Sequence, residues 1–175
     1  MTHVIIAGAA GDEEYMAKLL GIYNIDKIHA FEPFPDSFAK LQKNCRGETR
    51  IQLVEAACWI NDNKVRLYLG ASPLSHSLCP EKNNVDENNY ITVQGVNLSE
   101  YIRECGQIFH IKMNIEGAEY DVLDHLFSTG MINNVHSLTV QFHNTKLVGF
   151  TKLRHNILSA KLEQWQKEGH LWDKL

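Results

Sequence analysis

Apolar residues come in short runs that are separated by polar, helix-forming stretches along most of the chain. The run at residues 3–7 is rich in β-branched residues, which is typical of a strand buried on both faces, and glycines at positions 8 and 11 end it. Residues 12–20 then have the apolar spacing of a helix with an acidic first turn. The pattern predicts a strand, a turn and a helix in this order.

The same order of elements repeats along the chain. Prolines 33 and 35 predict that the helix after the second strand begins only at Asp36, which would be its N-cap. Further strands are predicted at residues 27–31, 51–54, 64–69, 90–93, 109–113 and 137–142, and further helices at residues 37–43, 118–127 and 153–167, with a short one capped by Asn97 or Ser99. Alternating strands and helices predict an α/β fold with a mostly parallel sheet, whose ligands gather at the carboxyl ends of the strands.

The longest stretch without a strand or helix pattern is residues 72–89, which is rich in Asn, Ser, Pro and Glu. A loop of this length is uncommon in a compact domain and usually has a function or is disordered. We therefore expect a lid or specificity loop. Nothing in the rest of the pattern separates a second unit, so residues 1–175 are expected to form a single domain.

The composition narrows the class of protein. The 175 residues include 17 basic and 21 acidic side chains, and the scattered basic residues argue against a nucleic-acid partner. No apolar run approaches the roughly 20 residues of a membrane span, and no basic leader precedes the first strand, so we expect a cytoplasmic protein with no membrane partner. The four cysteines form no C-x-x-C pair, so neither a zinc knuckle nor a redox motif is predicted.

Two of the predicted strand ends have the features of a nucleoside site. Between Gly8 and Gly11, the small residues Ala9 and Ala10 let backbone amides approach a ligand where a helix begins. Glu32 ends the second strand roughly 20 residues later, which is the placement that binds ribose hydroxyls. Because the ends of adjacent parallel strands can hold the two ends of one nucleoside, the sequence predicts a nucleoside site here.

A third strand end, at residues 112–121, contains further polar side chains. Asn114 interrupts an apolar strand and needs partners if it is buried. Glu116 follows it, whereas Glu119 and Asp121 can be explained as ordinary acids of a helix first turn.

His143 ends the neighbouring strand and could accept the proton of a substrate hydroxyl if it lies within about 3 Å of it. Together with Asn114 and Glu116 it could alternatively hold a divalent metal ion. The neutral amide of Asn114 is a weak ligand, so the predicted site contains no metal.

An ordered set of motifs then resembles the FkbM family of S-adenosylmethionine-dependent methyltransferases. The motifs are AFEPFP (30–35), LQKN (41–44), EAA (55–57), SHSL (75–78), IKMNIEGAE (111–119) and VQFH (140–143). The resemblance implies a class I Rossmann-like methyltransferase fold with helices on both faces of the sheet. It also implies S-adenosyl-L-methionine as cofactor and methyl transfer to a hydroxyl of a sugar or small natural-product acceptor.

The same resemblance assigns roles to residues. The turn at residues 8–11 would hold the methionine part of the cofactor, and Glu32 would bind the ribose hydroxyls. Ala56 and Ala57 would flank the adenine, and Asn114 would lie near the sulfonium. Glu116 would lie with Asn114 near the sulfonium and the acceptor. Apart from the resemblance, we expect His143 or Glu116 to assist as the catalytic base.

The chain also departs from the family pattern. The usual first motif is Asp-x-Gly-Ala-Asn-x-Gly, and here Ile6 and Ala10 stand at the positions of the Asp and Asn. Asn114 stands where an Asp is usual, which removes a negative charge. These departures favour an alternative, a weakened or inactive methyltransferase-like protein that serves as a binding or interaction module. A nicotinamide-dependent oxidoreductase fits less well, because Ala10 and Glu13 occupy glycine positions of the G-x-G-x-x-G motif.

The last residues of the sequence predict that one edge of the sheet differs from that of the usual class I fold. Residues 168–175 are too few for the antiparallel hairpin that closes a class I sheet, so this hairpin is expected to be shortened or missing. If a strand begins at Leu171, its exposed edge would favour a homodimer.

Overall fold

The computed structural model of the protein describes residues 1–149 and 152–174. The strands are β1 (His3–Ala7), β2 (Lys27–Phe31), β3 (Ile51–Val54), β4 (Ala57–Trp59), β5 (Lys64–Gly70), β6 (Val85–Asn97), β7 (Ile108–Met113), β8 (Val135–Val140) and β9 (Leu171–Lys174). The helices are α1 (Glu13–Ile22), α2 (Pro35–Asn44), α3 (Leu98–Cys105), α4 (Glu119–Ser128) and α5 (Lys152–Lys167), with 3-10 turns at Met131–Asn134 and Asn144–Lys146.

Six strands form a central sheet in the order β3-β2-β1-β7-β8-β9, and all of its neighbours are parallel. The chain builds the sheet outward from β1 in one direction and then from β7 in the other. The strand order therefore reverses between β1 and β7, where open α/β sheets bind their ligands at the carboxyl ends of the strands. This arrangement confirms the predicted α/β, Rossmann-like class.

The core lies on both faces of this sheet. Val4 and Ile6 of β1 pack with side chains from α1 and α2, whereas Ile5 and Ala7 face the other way, into a cluster that includes side chains of α3, α4 and α5. All four of these β1 side chains have no solvent exposure. The continuous apolar run of β1 thus reflects burial on both faces, as predicted.

A second, three-stranded sheet has the order β4-β6-β5. β5 pairs antiparallel with β6 at its edge, as its alternating pattern predicts. The prediction of a loop over residues 72–89 was too long, because β6 begins at Val85 and pairs this residue with Gly70. β4 was not predicted from the sequence, because a strand of three residues has too few positions to form a periodic pattern.

The start of α2 corrects a further prediction. The helix begins at Pro35 after the N-cap residue Phe34, so Asp36 lies in the first turn and is not the cap. Proline is tolerated at this position because the first helical N–H has no partner within the helix and the fixed φ suits it. For α3, the structure selects Asn97 as the cap, because its Oδ1 accepts hydrogen bonds from the amides of Ser99 and Glu100.

The last described strand, β9, pairs in parallel with β8 and forms one edge of the central sheet. Within residues 1–149 and 152–174 the strand that follows β8 is β9, and its pairing with β8 is parallel where the sequence analysis expected a shortened or missing antiparallel hairpin. The homodimer through this edge stays a prediction. None of the described helices has the length and apolar character needed to cross a bilayer.

Candidate active site

A pocket opens at the carboxyl ends of β1, β2 and β7, on the side covered by the second sheet. The residues that line it come from three strand ends, from β4 and β5, and from the segment between β5 and β6. They are Gly8, Ala10, Glu32, Pro33, Ala57, Cys58, Leu67, Pro73, Leu74, His76, Ser77, Leu78, Asn114, Ile115, Glu116 and Ala118. The pocket therefore lies at the point where the strand order reverses.

The turn after β1 packs directly against the end of β7. Gly8 has a φ of 78°, and a Cβ at this position would lie 2.1 Å from the carbonyl oxygen of Asn114. The amides of Gly8 and Ala9 both donate to the carbonyl oxygen of Phe31, at 3.1 and 2.9 Å. Only glycine fits a positive φ and so close an approach, and the result is a floor of bare backbone in the pocket.

Glu32 is held at the end of β2 by backbone amides. Its side chain is buried, with Oε2 accepting from the amide of Ala10 at 3.1 Å and Oε1 from the amide of Phe34 at 3.0 Å. Burial raises the pKa of this carboxyl, and the two amide hydrogen bonds oppose the increase. A carboxylate can accept about four hydrogen bonds, so Glu32 keeps capacity for hydroxyl donors from a ligand.

Three buried polar atoms in the lining have no hydrogen-bond partner among the described residues: Asn114 Oδ1, His76 Nε2 and Glu116 Oε2. Glu116 Oε2 is compensated by its ion pair with the Lys82 ammonium, which leaves Asn114 Oδ1 and His76 Nε2 without a partner. The ring of His76 accepts a hydrogen bond from the amide of Gly70 at Nδ1, at 3.0 Å, and burial followed by the charge of Lys82 lowers its pKa. The neutral ring therefore carries its proton on Nε2. Buried polar groups are nearly always paired in proteins, so these two atoms are suited to meet a ligand.

Glu116 occupies a strained position at the end of β7. Its φ is 57°, in the left-handed region that costs a non-glycine residue roughly 1–3 kcal/mol. Oε1 lies 3.0 Å from His143 Nε2, and Oε2 lies 2.5 Å from the buried Lys82 ammonium. Ser77 Oγ donates to its carbonyl oxygen at 2.6 Å. These contacts hold the strained backbone in place and fix the carboxylate in the lining.

The charges around Glu116 keep it ionised. Burial alone would raise its pKa, but hydrogen bonds from His143 and Lys82 together with their charges lower the pKa to about 2. At neutral pH the pocket thus contains a carboxylate that accepts hydrogen bonds readily and binds a proton weakly.

His143 lies behind Glu116 and is only 2% exposed. Its Nδ1 is 3.1 Å from Oε1 of the fully buried Glu119, which also accepts hydrogen bonds from the amides of His143 and Gly117. Burial lowers the pKa of His143, yet the hydrogen bonds to Glu116 and Glu119 prevail and raise the pKa to about 9. A protonated ring held between two carboxylates has no free lone pair, so the geometry favours a positioning role over the predicted role as base.

The family model of the methyltransferase FkbM domain matches residues 9–165, most of the chain. The chain belongs to the FkbM methyltransferase family.

Among solved structures, this FkbM-family chain is similar to a methyltransferase FkbM from Methylobacillus flagellatus KT. The two share 20% sequence identity with a TM-score of 0.48, over 71% of this chain. The FkbM-family chain spans 28% of the length of that protein. It has no significant match among curated proteins.

The structure brings most of the predicted site residues of this FkbM-family chain into one pocket. The lining includes Gly8, Ala10, Glu32, Ala57, Asn114 and Glu116. Four predicted residues lie outside the lining: Ala9, Gly11, Ala56 and His143. The side chains of Ala9 and Ala56 are buried, and Gly11 faces open space.

Some residues of the site were not predicted from the sequence. Glu119 was explained as a first-turn acid, but it is fully buried and holds His143. The spacing of three residues between Glu116 and Glu119, which places both at one helix end, is the signal that could have found it. Cys58 and Leu67 enter the lining from the second sheet, whose position over the first is not encoded in any local pattern.

Proposed function

We propose that this FkbM-family chain binds S-adenosyl-L-methionine in the pocket and transfers its methyl group to a hydroxyl of a sugar or small natural product. The observation that carries the proposal is the pair of unpartnered atoms, Asn114 Oδ1 and His76 Nε2. They share one lining with the bare turn at Gly8 and the Glu32 carboxylate. A lining with apolar walls and a few convergent polar groups is typical of cofactor sites.

The residues present fit the parts of this cofactor. Glu32 would accept hydrogen bonds from the ribose hydroxyls, and the small side chain of Ala57 leaves room for the adenine. The backbone at Gly8 and Ala10 would lie along the methionine part, and the Asn114 amide near the sulfur. When bound, the cofactor supplies a methyl group on a positively charged sulfur.

In this proposal Glu116 orients the acceptor. Its carboxylate accepts a hydrogen bond from the acceptor hydroxyl, which points a lone pair of the oxygen at the methyl carbon. Because its pKa is about 2, Glu116 is a weak base towards the free hydroxyl, and orientation would supply the larger share of the rate enhancement. As the oxygen–carbon bond formed and the carbon–sulfur bond broke, the hydroxyl would become strongly acidic, so its proton would pass to the Glu116 carboxylate and from there to water, with release of S-adenosylhomocysteine. Lys82 and His143 hold the carboxylate still, so that no side chain has to move during the reaction.

The segment between β5 and β6 is proposed to select the acceptor. Pro73, Leu74, His76, Ser77 and Leu78 of this segment all line the pocket. Leu74 is 61% exposed, which leaves an apolar side chain at the mouth where an acceptor would enter.

Calorimetry on the whole chain with S-adenosylhomocysteine tests cofactor binding. We expect saturable heat, and we expect Glu32→Gln to weaken binding by at least about tenfold, since charge-assisted hydrogen bonds are roughly twice as strong as neutral ones. Asp36→Asn is the matched control, because Asp36 is an exposed acid four residues away and outside the lining. The proposal would be overturned if millimolar S-adenosylhomocysteine gave no heat of binding, or if both variants lost affinity for it equally. NADH, as a control ligand, should give no heat.

A second candidate function is a binding or interaction module without turnover. The observation in its favour is that both oxygens of Glu32 are already engaged by backbone amides, while Asn114 is neutral. A methyl-transfer assay with labelled S-adenosylmethionine and a panel of sugars separates the two functions. Binding of the cofactor with no transfer to any acceptor supports the module, and transfer to a hydroxyl excludes it.

A further inference from the structure

Three side chains with metal-binding atoms meet near the amino end of the central sheet, away from the pocket. His3 begins β1, His29 lies on β2, and Cys105 is the last residue of α3. Nδ1 of His3 lies 2.8 Å from Nε2 of His29, and Sγ of Cys105 lies 4.0 Å from the same nitrogen. All three atoms lie within 4.8 Å of one another.

These separations are close to those of a tetrahedral metal site. Zinc binds histidine nitrogens at about 2.0–2.1 Å and cysteine sulfur at about 2.3 Å, which places neighbouring ligand atoms about 3.3–3.6 Å apart. To reach this geometry, the two nitrogens would have to move apart by roughly 0.5 Å, and the sulfur would have to move closer to His29 Nε2 by a similar distance. Small rotations of the side chains of His3 and Cys105, both half-buried, provide this movement.

The buried histidine is already oriented by a second residue. Nδ1 of His29 lies 2.8 Å from the hydroxyl oxygen of Tyr101, and the two rings pack edge to face. Histidines that bind metals commonly donate their other N–H to such an oxygen, which fixes the ring and selects the nitrogen that faces the ion. Here the hydrogen bond to Tyr101 leaves Nε2 of His29 directed at His3 and Cys105.

We propose that His3, His29 and Cys105 bind one zinc ion, with a water molecule as fourth ligand. Two imidazoles and one thiolate form a donor set that suits zinc. The ion would tie together β1, β2 and α3, three elements that are distant in sequence. Because His3 and Cys105 are partly exposed, the ion has a path from solvent.

The same contacts have a simpler explanation, in which Tyr101, His29 and His3 form a chain of hydrogen bonds and the Cys105 thiol takes no part. The two explanations differ in what they require of Cys105. A zinc site needs the sulfur as thiolate, whereas the hydrogen-bond chain is indifferent to replacement of the thiol by a hydroxyl.

Cobalt(II) is a suitable probe, because a cobalt–thiolate bond gives a near-ultraviolet charge-transfer band. The whole chain, without a histidine tag and stripped with a chelator, is titrated with cobalt(II) and then with zinc(II). We expect one cobalt per chain, a thiolate band and displacement by zinc. We expect Cys105→Ser to abolish the band and weaken zinc binding by at least about 100-fold, more than loss of an outer-shell partner.

Two further variants make the outcome decisive. Cys45→Ser removes another half-buried thiol that lies outside the cluster, and it should keep the band. Tyr101→Phe keeps the ring but removes the oxygen, and it should weaken zinc binding by about 10–100-fold. A band that survives in Cys105→Ser, or a wild-type chain that binds no cobalt or zinc at micromolar concentration, would overturn the proposal.

Discussion

Two strand-to-helix turns contribute to the pocket, and they differ in how far their polar groups are satisfied. In the turn between β1 and α1, the Ala10 amide is paired with Glu32, and the Asp12 carboxylate contacts the Lys112 ammonium at 2.5 Å. In the turn between β7 and α4, Asn114 Oδ1 has no described partner and Glu116 adopts a strained backbone.

This difference indicates that the first turn has a structural role, whereas the second turn positions the groups that are proposed to act on the substrate. The polar groups of the first turn named above are paired with other parts of the protein, so this turn needs no ligand to satisfy them and mainly shapes the pocket floor. The second turn instead keeps the unpaired Asn114 oxygen and the strained backbone of Glu116 in place through a buried network of charges. Functional sites commonly store such strain where the surrounding structure can hold it.

Removal of the Glu119 carboxylate is expected to have the largest effect on stability. Glu119→Ala would leave the amides of Gly117 and His143 without an acceptor and the His143 ring without its inner charge. We expect the free energy of unfolding to fall by about 3–5 kcal/mol in urea denaturation, because a buried ion pair loses one partner.

The matched control is Glu14→Ala in the first helix. Its side chain is 87% exposed and forms an exposed ion pair with Lys18 at 3.5 Å, so we expect a change below about 0.5 kcal/mol. A similar loss in the two variants would show that the network contributes nothing particular to the second turn.

A pair of alanine substitutions tests the packing between the two turns. Gly8 and Gly11 have similar positive φ values of 78° and 81°, but only a Cβ at Gly8 would collide with the Asn114 backbone. We expect Gly11→Ala to cost about 1 kcal/mol of unfolding free energy and Gly8→Ala about 3 kcal/mol, measured by thermal and urea unfolding. Equal costs would mean that the turns are not in the close contact described.

The third prediction concerns the pH dependence of the network. Because the folded-state pKa of His143, about 9, lies above its ordinary value of 6.5, its contribution is fully present below pH 6.5. The contribution is lost as the pH rises through about 9. We expect wild type to lose on the order of 2 kcal/mol of unfolding free energy over this range relative to His143→Gln. Parallel pH profiles of the two proteins would contradict the assignment.

The part of the site that could be predicted from the sequence lies at the ends of neighbouring parallel strands. Periodic patterns predicted β1, β2 and β7, and parallel strands place their carboxyl ends at one edge of the sheet, so the sequence alone brings Gly8, Glu32 and Asn114 together. Three of the FkbM motifs, at residues 30–35, 111–119 and 140–143, run from a strand into the turn after it, so they belong to the same edge of the sheet.

Contacts between elements distant in sequence explain what could not be predicted. The spacing of Glu119 from Glu116 marks Glu119 as a candidate, but its pairing with His143 joins the start of α4 to the residues after β8, and local spacing does not encode that partner. The cluster of His3, His29 and Cys105 likewise depends on the strand order, with ligands 26 and 76 residues apart. A search for C-x-x-C or similar short motifs misses any site that the topology assembles.

The smallest expected effect comes from restoring the charge that the second turn lacks. Asn114→Asp replaces the amide by a carboxylate at the position proposed to lie near the sulfur of the cofactor. S-adenosylmethionine carries a positive charge on that sulfur and S-adenosylhomocysteine does not, so the ratio of their affinities reports the local charge. We expect Asn114→Asp to shift this ratio about three- to tenfold towards the charged ligand, which corresponds to about 1 kcal/mol in calorimetry.

The ratio of the two affinities also tests which of the two turns lies closer to the sulfur of the cofactor. Ala10→Asp, which places a carboxylate in the first turn, is the matched control, since Ala10 lines the same pocket but is proposed to face the methionine part. If the second turn receives the reacting sulfur, only Asn114→Asp shifts the ratio, because a charge interaction across a hydrated pocket weakens with distance. A larger shift in Ala10→Asp would place the sulfur beside the first turn and reverse the roles assigned to the two turns.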